Sequence, residues 1–259
     1  MFSVGTSHGV TTITMRRPPV NAISDAWLAA FSAELGAIEA SRACKVLHIR
    51  SDQKVFCAGA DLDEIRARME MRDGPDRMYA YVANIQRLYA RIERLPFVTL
   101  AEIGGAALGG GLELALACDL RIAANEAKLG LPEARLGLIP GAGGTQRLTR
   151  ICGPAVAAHL ILTAEVLDGT NAASLGVVHW AVPRAELAQR ACDIAVRVAG
   201  LPAAALAASK ICLAAASRQE RDGYLQELEF TRMLLSEPET RQRVDAFLAR
   251  STEKEGAAP

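Results

Sequence analysis

The chain has 259 residues, of which 51% are hydrophobic and 22% charged, a composition typical of a soluble globular protein and one that excludes a mainly disordered chain. Its 29 basic residues balance 29 acidic ones, so bulk charge favours neither nucleic acid nor an anionic membrane as a partner. The six cysteines lack CxxC spacing and a histidine cluster, which argues against zinc and disulfides and indicates buried thiols in a reducing compartment. With no signal-peptide pattern and no apolar run long enough for a membrane span, we expect a cytoplasmic protein.

The first half of the chain alternates predicted strands and helices. The β-branched segment Val10–Met15 predicts a strand paired with the residues before it, and Ser24 or Asp25 then caps a helix. A turn-rich segment and a mixed-charge, Met-rich stretch to about Met78 precede the next helix, which ends at Arg94. The remaining predicted elements of this half are strands at Val46–Ile49, Val98–Ile103 and Leu120–Ala123 and a helix from about Gly110 to Cys118. Such alternation implies parallel strands joined by helical crossovers.

Helices dominate the second half. They are predicted from the Pro140–Gly144 turn to Ile151, then at Pro154–Leu162, Ala172–Leu175, Ala185–Ala199, Ala203–Ala215, Asp222–Leu235 and Glu239–Arg250, with a frayed tail at Ser251–Pro259. We therefore divide the chain into an α/β core, residues 1–197, and a C-terminal helical region, residues 198–259. Several of the last helices are Ala-rich and apolar on more than one face, so each packs inside the protein or at a subunit interface.

Two glycine clusters open helices, but neither matches a nucleotide-binding fingerprint. Counted from Gly109, the last position of G-x-G-x-x-G is Leu114, and counted from Gly141 it is Gln146; no P-loop pattern occurs. Glycines at a helix start expose backbone N–H groups, and the helix dipole adds positive potential. Such a site suits a phosphate or an anion that forms during a reaction, although a tight turn with close packing explains the same glycines.

Two glutamates lie in unusually apolar company. Glu113 is one turn into the helix that follows the glycines, and Glu133 follows a proline among aliphatic residues. Burying a carboxylate is costly unless it is paired or functional, so the two could share acid–base work on one water, or each could be a cap or an ion-pair partner. Nucleophilic catalysis has less support, because no G-x-S-x-G motif occurs, His48 lies in a strand pattern, and no histidine is placed beside Cys57.

Five segments in this order closely resemble the crotonase superfamily, in particular enoyl-CoA hydratases: Phe56–Leu62, Ala107–Ala115, Cys118–Ala123, Pro132–Glu133 and Leu138–Leu148. The likeness runs from Pro18 to Leu248 and is specific to the superfamily more than to one reaction within it. It implies an α/β fold, a crotonase-like spiral of ββα units with a C-terminal helical trimerisation region. It also implies acyl-CoA thioester substrates bound and processed by the core, and a homotrimer or a hexamer built as a dimer of trimers.

The resemblance further implies an oxyanion hole made by the backbone N–H groups of Ala60 and Gly110. Glu133 would protonate C2 of a trans-2-enoyl-CoA, and Glu113 would hold the attacking water and act as its base, giving a 3-hydroxyacyl-CoA. No metal or redox cofactor is implied, since CoA is part of the substrate. The further residues expected to bind substrate are Ala58, Asp61, Leu62, Gly109, Pro140 and Gly141.

Three alternatives remain within this resemblance: a specialised hydratase such as one acting on 3-methylglutaconyl-CoA, an enoyl-CoA isomerase, and an acyl-CoA-binding module without turnover. The Met-rich segment at Ile65–Met78 is expected to border the acyl pocket or simply to pack in the core. Asp63 and Pro19 stand where a lysine is common, and the basic C-terminal motif of the family is absent. These departures leave the contacts to the CoA phosphates unassigned.

Overall fold

A six-stranded sheet forms the centre of the protein, which a computed structural model describes over residues 1–215, 228, 231–236 and 238–256. The strands are β1 (Phe2–Ser7), β2 (Val10–Met15), β3 (Val46–Ser51), β4 (Val98–Ile103), β5 (Ala107–Leu108), β6 (Leu120–Ala124), β7 (Lys128–Gly130), β8 (Val166–Asp168) and β9 (Trp180–Val182). The order in the six-stranded sheet is β1-β2-β3-β4-β6-β9, with β1 and β2 antiparallel and every later neighbour parallel. A smaller sheet has the order β5-β7-β8.

Helices connect these strands and cover the sheet. They are α1 (Asp25–Ser41), α2 (Leu62–Met69), α3 (Gly74–Arg94), α4 (Gly110–Leu116), a 3-10 helix (Pro132–Leu136), α5 (Gly144–Leu162), α6 (Gly169–Ser174), α7 (Arg184–Ala199), α8 (Ala203–Ala215) and α9 (Pro238–Gly256). The predicted parallel core with helical crossovers is confirmed, as is the cap of α1, where the Ser24 hydroxyl accepts from the Trp27 N–H. Gly153, with φ +81°, breaks α5, which confirms the predicted pair of helices there.

The core fills the space between the sheet and α1 and α3. Trp27 and Phe31 are fully buried and stacked, with ring centroids 4.9 Å apart, and Phe2 packs edge-on against both. Burying one such side chain contributes about 1.5–3 kcal/mol to stability. This packing holds α1 against β1, the edge strand of the sheet.

The Met-rich segment is more ordered than expected. It contains most of α2, a helix whose start is capped by the Asp61 carboxylate, and the first turn of α3. Ile65, Met69 and Met78 are buried, whereas Met71 is 44% exposed. The sequence prediction also lacks the 3-10 helix and four short strands, β5, β7, β8 and β9. Elements of two to five residues carry too little periodicity to be recognised in a sequence.

Helices also form the C-terminal region, as predicted. The helix expected at Asp222–Leu235 lies largely outside the described residues, and 231–235 are helical. The frayed tail expected from Ser251 is wrong as far as Gly256, because α9 continues through Thr252–Glu255, which has no helix breaker. The expectation of buried cysteines is also wrong for Cys192 and Cys212, which are exposed in the chain.

The predicted boundary at residues 197 and 198 falls within α7, which packs on β2, β3, β4 and β6. The two-part division therefore stays a prediction. In the described part of the chain no single helix has the length and apolarity to cross a membrane; α7 and α8 meet that test only together, and they are bent by 102°.

Candidate active site

The N-terminus of α4 lies tightly against the turn at residues 57–60. A Cβ on Gly111 would lie 2.0 Å from the carbonyl oxygen of Cys57, and one on Gly110 would lie 3.0 Å from Ile23 Cδ1. Gly109 precedes the helix with φ +52° and ψ −127°, a conformation that favours glycine. The glycine cluster is therefore required for a close backbone approach, and this approach brings two N–H groups together.

Those two groups belong to Ala60 and Gly110. A Cβ on Gly110 would lie 3.7 Å from the Ala60 nitrogen, so the two residues are in contact. The flanking backbone is fixed, since Ile23 donates to Gly59 O at 2.8 Å and Asp61 donates to Ile23 O at 2.9 Å. Within the described residues, neither the Ala60 N–H nor the Gly110 N–H donates a hydrogen bond to another group of the chain. Both donors are therefore available to a ligand, at the positive end of a helix.

Two buried tyrosines hold the backbone around these donors. The Tyr81 hydroxyl donates to Ile23 O at 2.6 Å, and the Tyr89 hydroxyl donates to Gly110 O at 2.8 Å. Burial raises the pKa of both phenols above their ordinary value, so both stay neutral and keep their donor protons. Sequence reasoning missed both residues; their only local signal is the apolar face of α3, which does not show where the hydroxyls reach.

The residues next to Ala60 are held by side chains as well as by backbone. Arg17 Nη2 donates to Asp61 Oδ2 at 2.8 Å, while Asp61 Oδ1 accepts from the Glu64 N–H at 3.3 Å and caps α2. The Asp61 carboxylate is thus occupied by protein contacts. Of the other predicted substrate residues, Ala58 is exposed and donates its N–H to Val20 O at 3.0 Å, and Leu62 is half-buried at the start of α2.

Glu113 is 2% exposed, and its carboxylate is oriented by backbone donors. Its Oε1 accepts from the Ala142 N–H at 2.9 Å and from the Gly144 N–H at 2.7 Å. A Cβ on Gly144 would lie 2.8 Å from that same oxygen, so only glycine leaves room for it. Charge-assisted bonds of this kind stabilise the ionised form and fix the carboxylate relative to α4.

The loop that orients Glu113, residues 140–144, is itself held in place. Gly141 O accepts from Gln86 Nε2 at 2.8 Å, and Ala142 O accepts from Arg147 Nη1 at 2.7 Å. Arg147 is 1% exposed and also pairs with Glu93 at 2.8 Å. The predicted site residues Pro140 and Gly141 are buried in this loop. Sequence reasoning gave Gln86 and Arg147 no role, although an arginine one turn after a glycine-rich loop is a signal for one.

The side chain of Glu133 lies against the residue that precedes α4. It lies on the 3-10 helix, and its Oε1 is 2.9 Å from the position that a Cβ on Gly109 would take. Gly109 O accepts the Glu113 N–H at 3.0 Å, so Glu113 lies one helical turn along the chain from the glycine that Glu133 contacts. The structure therefore brings Glu113, Glu133, Gly109, Gly110 and Ala60 to one place, at the N-terminus of α4.

Other groups considered from the sequence have structural roles. Cys57 Sγ donates to Asn21 O at 3.1 Å, and burial raises the pKa of its thiol to about 12, which argues against a nucleophile. His48 Nε2 lies 2.8 Å from Glu102 Oε2, and both side chains are buried in the sheet. The part of the chain described by the structure contains no cluster of three or more His, Cys, Asp or Glu that could hold a metal ion.

Comparison with known proteins gives one consistent family. The family model described as enoyl-CoA hydratase/isomerase matches residues 5–254. Human enoyl-CoA hydratase domain-containing protein 2, mitochondrial, is 45% identical over 184 residues, which cover 70% of this chain and 61% of that protein. Mouse methylglutaconyl-CoA hydratase, mitochondrial, is 46% identical over 160 residues, covering 61% of this chain and 49% of the relative. The chain thus spans less than two thirds of these curated relatives.

A solved structure matches over nearly the whole length. The crystal structure of an enoyl-CoA hydratase from Bacillus anthracis has a TM-score of 0.78 and 33% sequence identity, covering 96% of each chain. The likeness includes the parallel sheet and the C-terminal helices described above.

Proposed function

The chain belongs to the enoyl-CoA hydratase/isomerase family, and we propose that it adds water across the double bond of a trans-2-enoyl-CoA to give a 3-hydroxyacyl-CoA. The observation that carries this proposal is the meeting of two available N–H donors, Ala60 and Gly110, with the carboxylates of Glu113 and Glu133 at the start of α4. Donors for an oxyanion beside two acid–base groups are what hydration of an unsaturated thioester requires.

The two N–H groups would bind the thioester carbonyl oxygen. When water attacks C3, the π electrons of the double bond move toward that oxygen and form an enolate. Two preorganised donors at a helix N-terminus stabilise this charge, and one such donor is worth about 3–4 kcal/mol of barrier. Because no hydrogen bond within the described chain competes for these donors, no protein contact has to break before the substrate binds.

The two glutamates divide the proton work. Glu113, held at Oε1 by two backbone donors, would hold the water and act as its base as the oxygen–C3 bond forms. Glu133 would deliver a proton to C2, and the enolate electrons would form the new C–H bond. The proton that Glu113 takes from the water passes on to Glu133 and replaces the one delivered to C2, so one water enters the product and both glutamates return to their starting state. This reaction requires neither a metal nor a redox cofactor.

A second hydratase substrate has specific support. The mouse protein at 46% identity is named a methylglutaconyl-CoA hydratase, so a branched, carboxylated enoyl thioester is a second candidate substrate. An enoyl-CoA isomerase is less well supported, since the family resemblance implies that isomerases generally replace at least one of the two glutamates present here. A binding module without turnover is disfavoured because both glutamates and both donors are placed at one site.

We further propose a homo-oligomer, a trimer or a hexamer. Large apolar side chains on α5 and α8 are exposed in the chain, with Leu162 at 78%, Ile211 at 71% and Leu213 at 74%. Burying such a surface between copies would be favourable.

A cytoplasmic location remains our expectation for this chain, although the curated relatives carry mitochondrial names.

A panel of acyl-CoA thioesters with product identification tests the function. It would contain crotonyl-CoA, longer trans-2-enoyl-CoAs, 3-methylglutaconyl-CoA and a 3-enoyl-CoA. A 3-hydroxyacyl-CoA product supports a hydratase, a shifted double bond indicates an isomerase, and binding without any product indicates a binding module.

A further inference from the structure

A threonine of α9 is bonded to the end of the short helix that carries Glu133. Thr240 is 1% exposed, and its Oγ1 donates to Gly137 O at 2.8 Å. Gly137 ends the 3-10 helix with φ +72°, and a Cβ on it would lie 2.7 Å from Thr240 Oγ1. The contact is therefore both a hydrogen bond and a close packing that requires glycine.

The helix held in this way has little stability of its own. It has five residues, and its C-terminal end is closed by two bonds, from Gly137 to Ala134 O and from Leu138 to Glu133 O, each 3.1 Å. Short 3-10 helices have poor hydrogen-bond geometry, so external contacts decide their position. Thr240 binds the carbonyl directly after the helix, four residues beyond Glu133 along the chain.

The position of α9 is itself fixed against α2. Arg241 donates to Met69 O, and Val244 is fully buried. A second threonine of the C-terminal region, Thr231, is 4% exposed, and its Oγ1 lies 2.6 Å from where a Cβ on Gly141 would be. The C-terminal region therefore contacts both loops of the site: Thr231 lies beside Gly141, and Thr240 lies beside Gly137. The hydrogen bond of Thr240 is made to the loop that follows the helix of Glu133.

We propose that Thr240 is a positioning residue for Glu133: its hydroxyl fixes the 3-10 helix so that the Glu133 carboxylate stays against Gly109. This inference rests on the proposed function of Glu133 as the group that protonates C2. It makes the C-terminal helical region part of the catalytic apparatus, in addition to any role in subunit contact. A misplacement of about 1 Å in a catalytic group can cost on the order of 10²-fold in rate.

A double-mutant cycle separates positioning from general stability. Thr240→Val keeps the side-chain shape and removes the hydroxyl, and Thr240→Ser keeps the hydroxyl. We expect Thr240→Val to lower kcat about tenfold or more with KM changed less than about threefold, and Thr240→Ser to restore most of the loss. In a Glu133→Gln background, Thr240→Val should cost less than about twofold further, because the group it positions no longer acts.

Asp245→Asn is the matched control, since it removes a contact between α9 and α2 without touching Gly137. It should leave kcat within about twofold of wild type, consistent with an exposed ion pair. If Thr240→Val does not fold, the same cycle is measured with Thr240→Ala, and thermal melting is recorded for every variant.

Two results would overturn the inference: an undiminished loss from Thr240→Val in the Glu133→Gln background, or a kcat for folded Thr240→Val equal to that of wild type. Failure of the proposed function is a different result, because wild-type protein would then hydrate no enoyl-CoA and the cycle could not be started.

Discussion

Glu113 Oε1 lies 2.7 Å from the backbone nitrogen of Gly144, the first residue of α5. The helix after the glycine-rich loop therefore holds the carboxylate by a backbone donor. Gly144→Ala would place a Cβ about where that contact forms, 2.8 Å from both Glu113 Oε1 and Pro140 Cβ. We expect it to lower kcat by on the order of tenfold or more, because Glu113 must turn away.

The Gly144→Ala prediction is checked by steady-state hydration of crotonyl-CoA. Gly5→Ala is its matched control, since a Cβ there meets nothing within 4 Å and should leave kcat unchanged. Wild-type kcat for Gly144→Ala in a folded protein would show that the orientation of Glu113 is unimportant.

Glu133→Gln keeps the volume of the side chain and replaces its carboxyl group, the proposed proton donor, with an amide. Because the amide cannot deliver a proton to C2, kcat should fall by on the order of 10²-fold or more, with little change in thermal stability.

Glu113→Gln should cause a loss of the same order, since the amide cannot act as a base toward water. Rates measured on crotonyl-CoA that stay at the wild-type level in either variant would remove that residue from the mechanism.

Gly110→Pro removes one N–H at the first position of α4, where proline is compatible with a helix. Loss of this oxyanion donor should reduce kcat by about 10²- to 10³-fold. Gly110→Ala is the control, because it retains the N–H although its Cβ lies 3.0 Å from Ile23 Cδ1, and it should lose much less activity. Equal losses in the two variants would indicate a steric effect and argue against the donor role.

Cys57 should resist alkylation in the folded protein. Its pKa of about 12 leaves roughly one thiol in ten thousand ionised at pH 8, and the side chain is buried. Mass spectrometry after treatment with iodoacetamide should find Cys57 unmodified in native protein and modified after denaturation. Rapid native labelling at Cys57, with hydration retained, would contradict the buried environment described here.

The sequence predicts much of this site because its groups lie in short contiguous motifs. Glu113 follows the glycines on one helix, and a helix start exposes its N–H groups whatever the rest of the fold does. The contacts that orient these groups are far apart in the sequence. Gln86 reaches Gly141, Tyr89 reaches Gly110, and residue spacing cannot show which elements pack together.

The same limit applies to α2 and to α9. Apolar Leu62, Ile65 and Met69 do have helical spacing, but the dense charges between them obscure it. Thr240 is an ordinary helix residue in sequence, and its role follows only from the tertiary contact with Gly137.

The most direct measurement of the central claim is the reaction of wild-type protein with crotonyl-CoA in H₂¹⁸O and, separately, in D₂O. We expect 3-hydroxybutyryl-CoA with one ¹⁸O on C3 in the first solvent and with deuterium on C2 in the second. Two results would show that the proposed hydration is wrong. One is an isomerised enoyl-CoA without ¹⁸O, and the other is no reaction with crotonyl-CoA or with any other thioester of the panel.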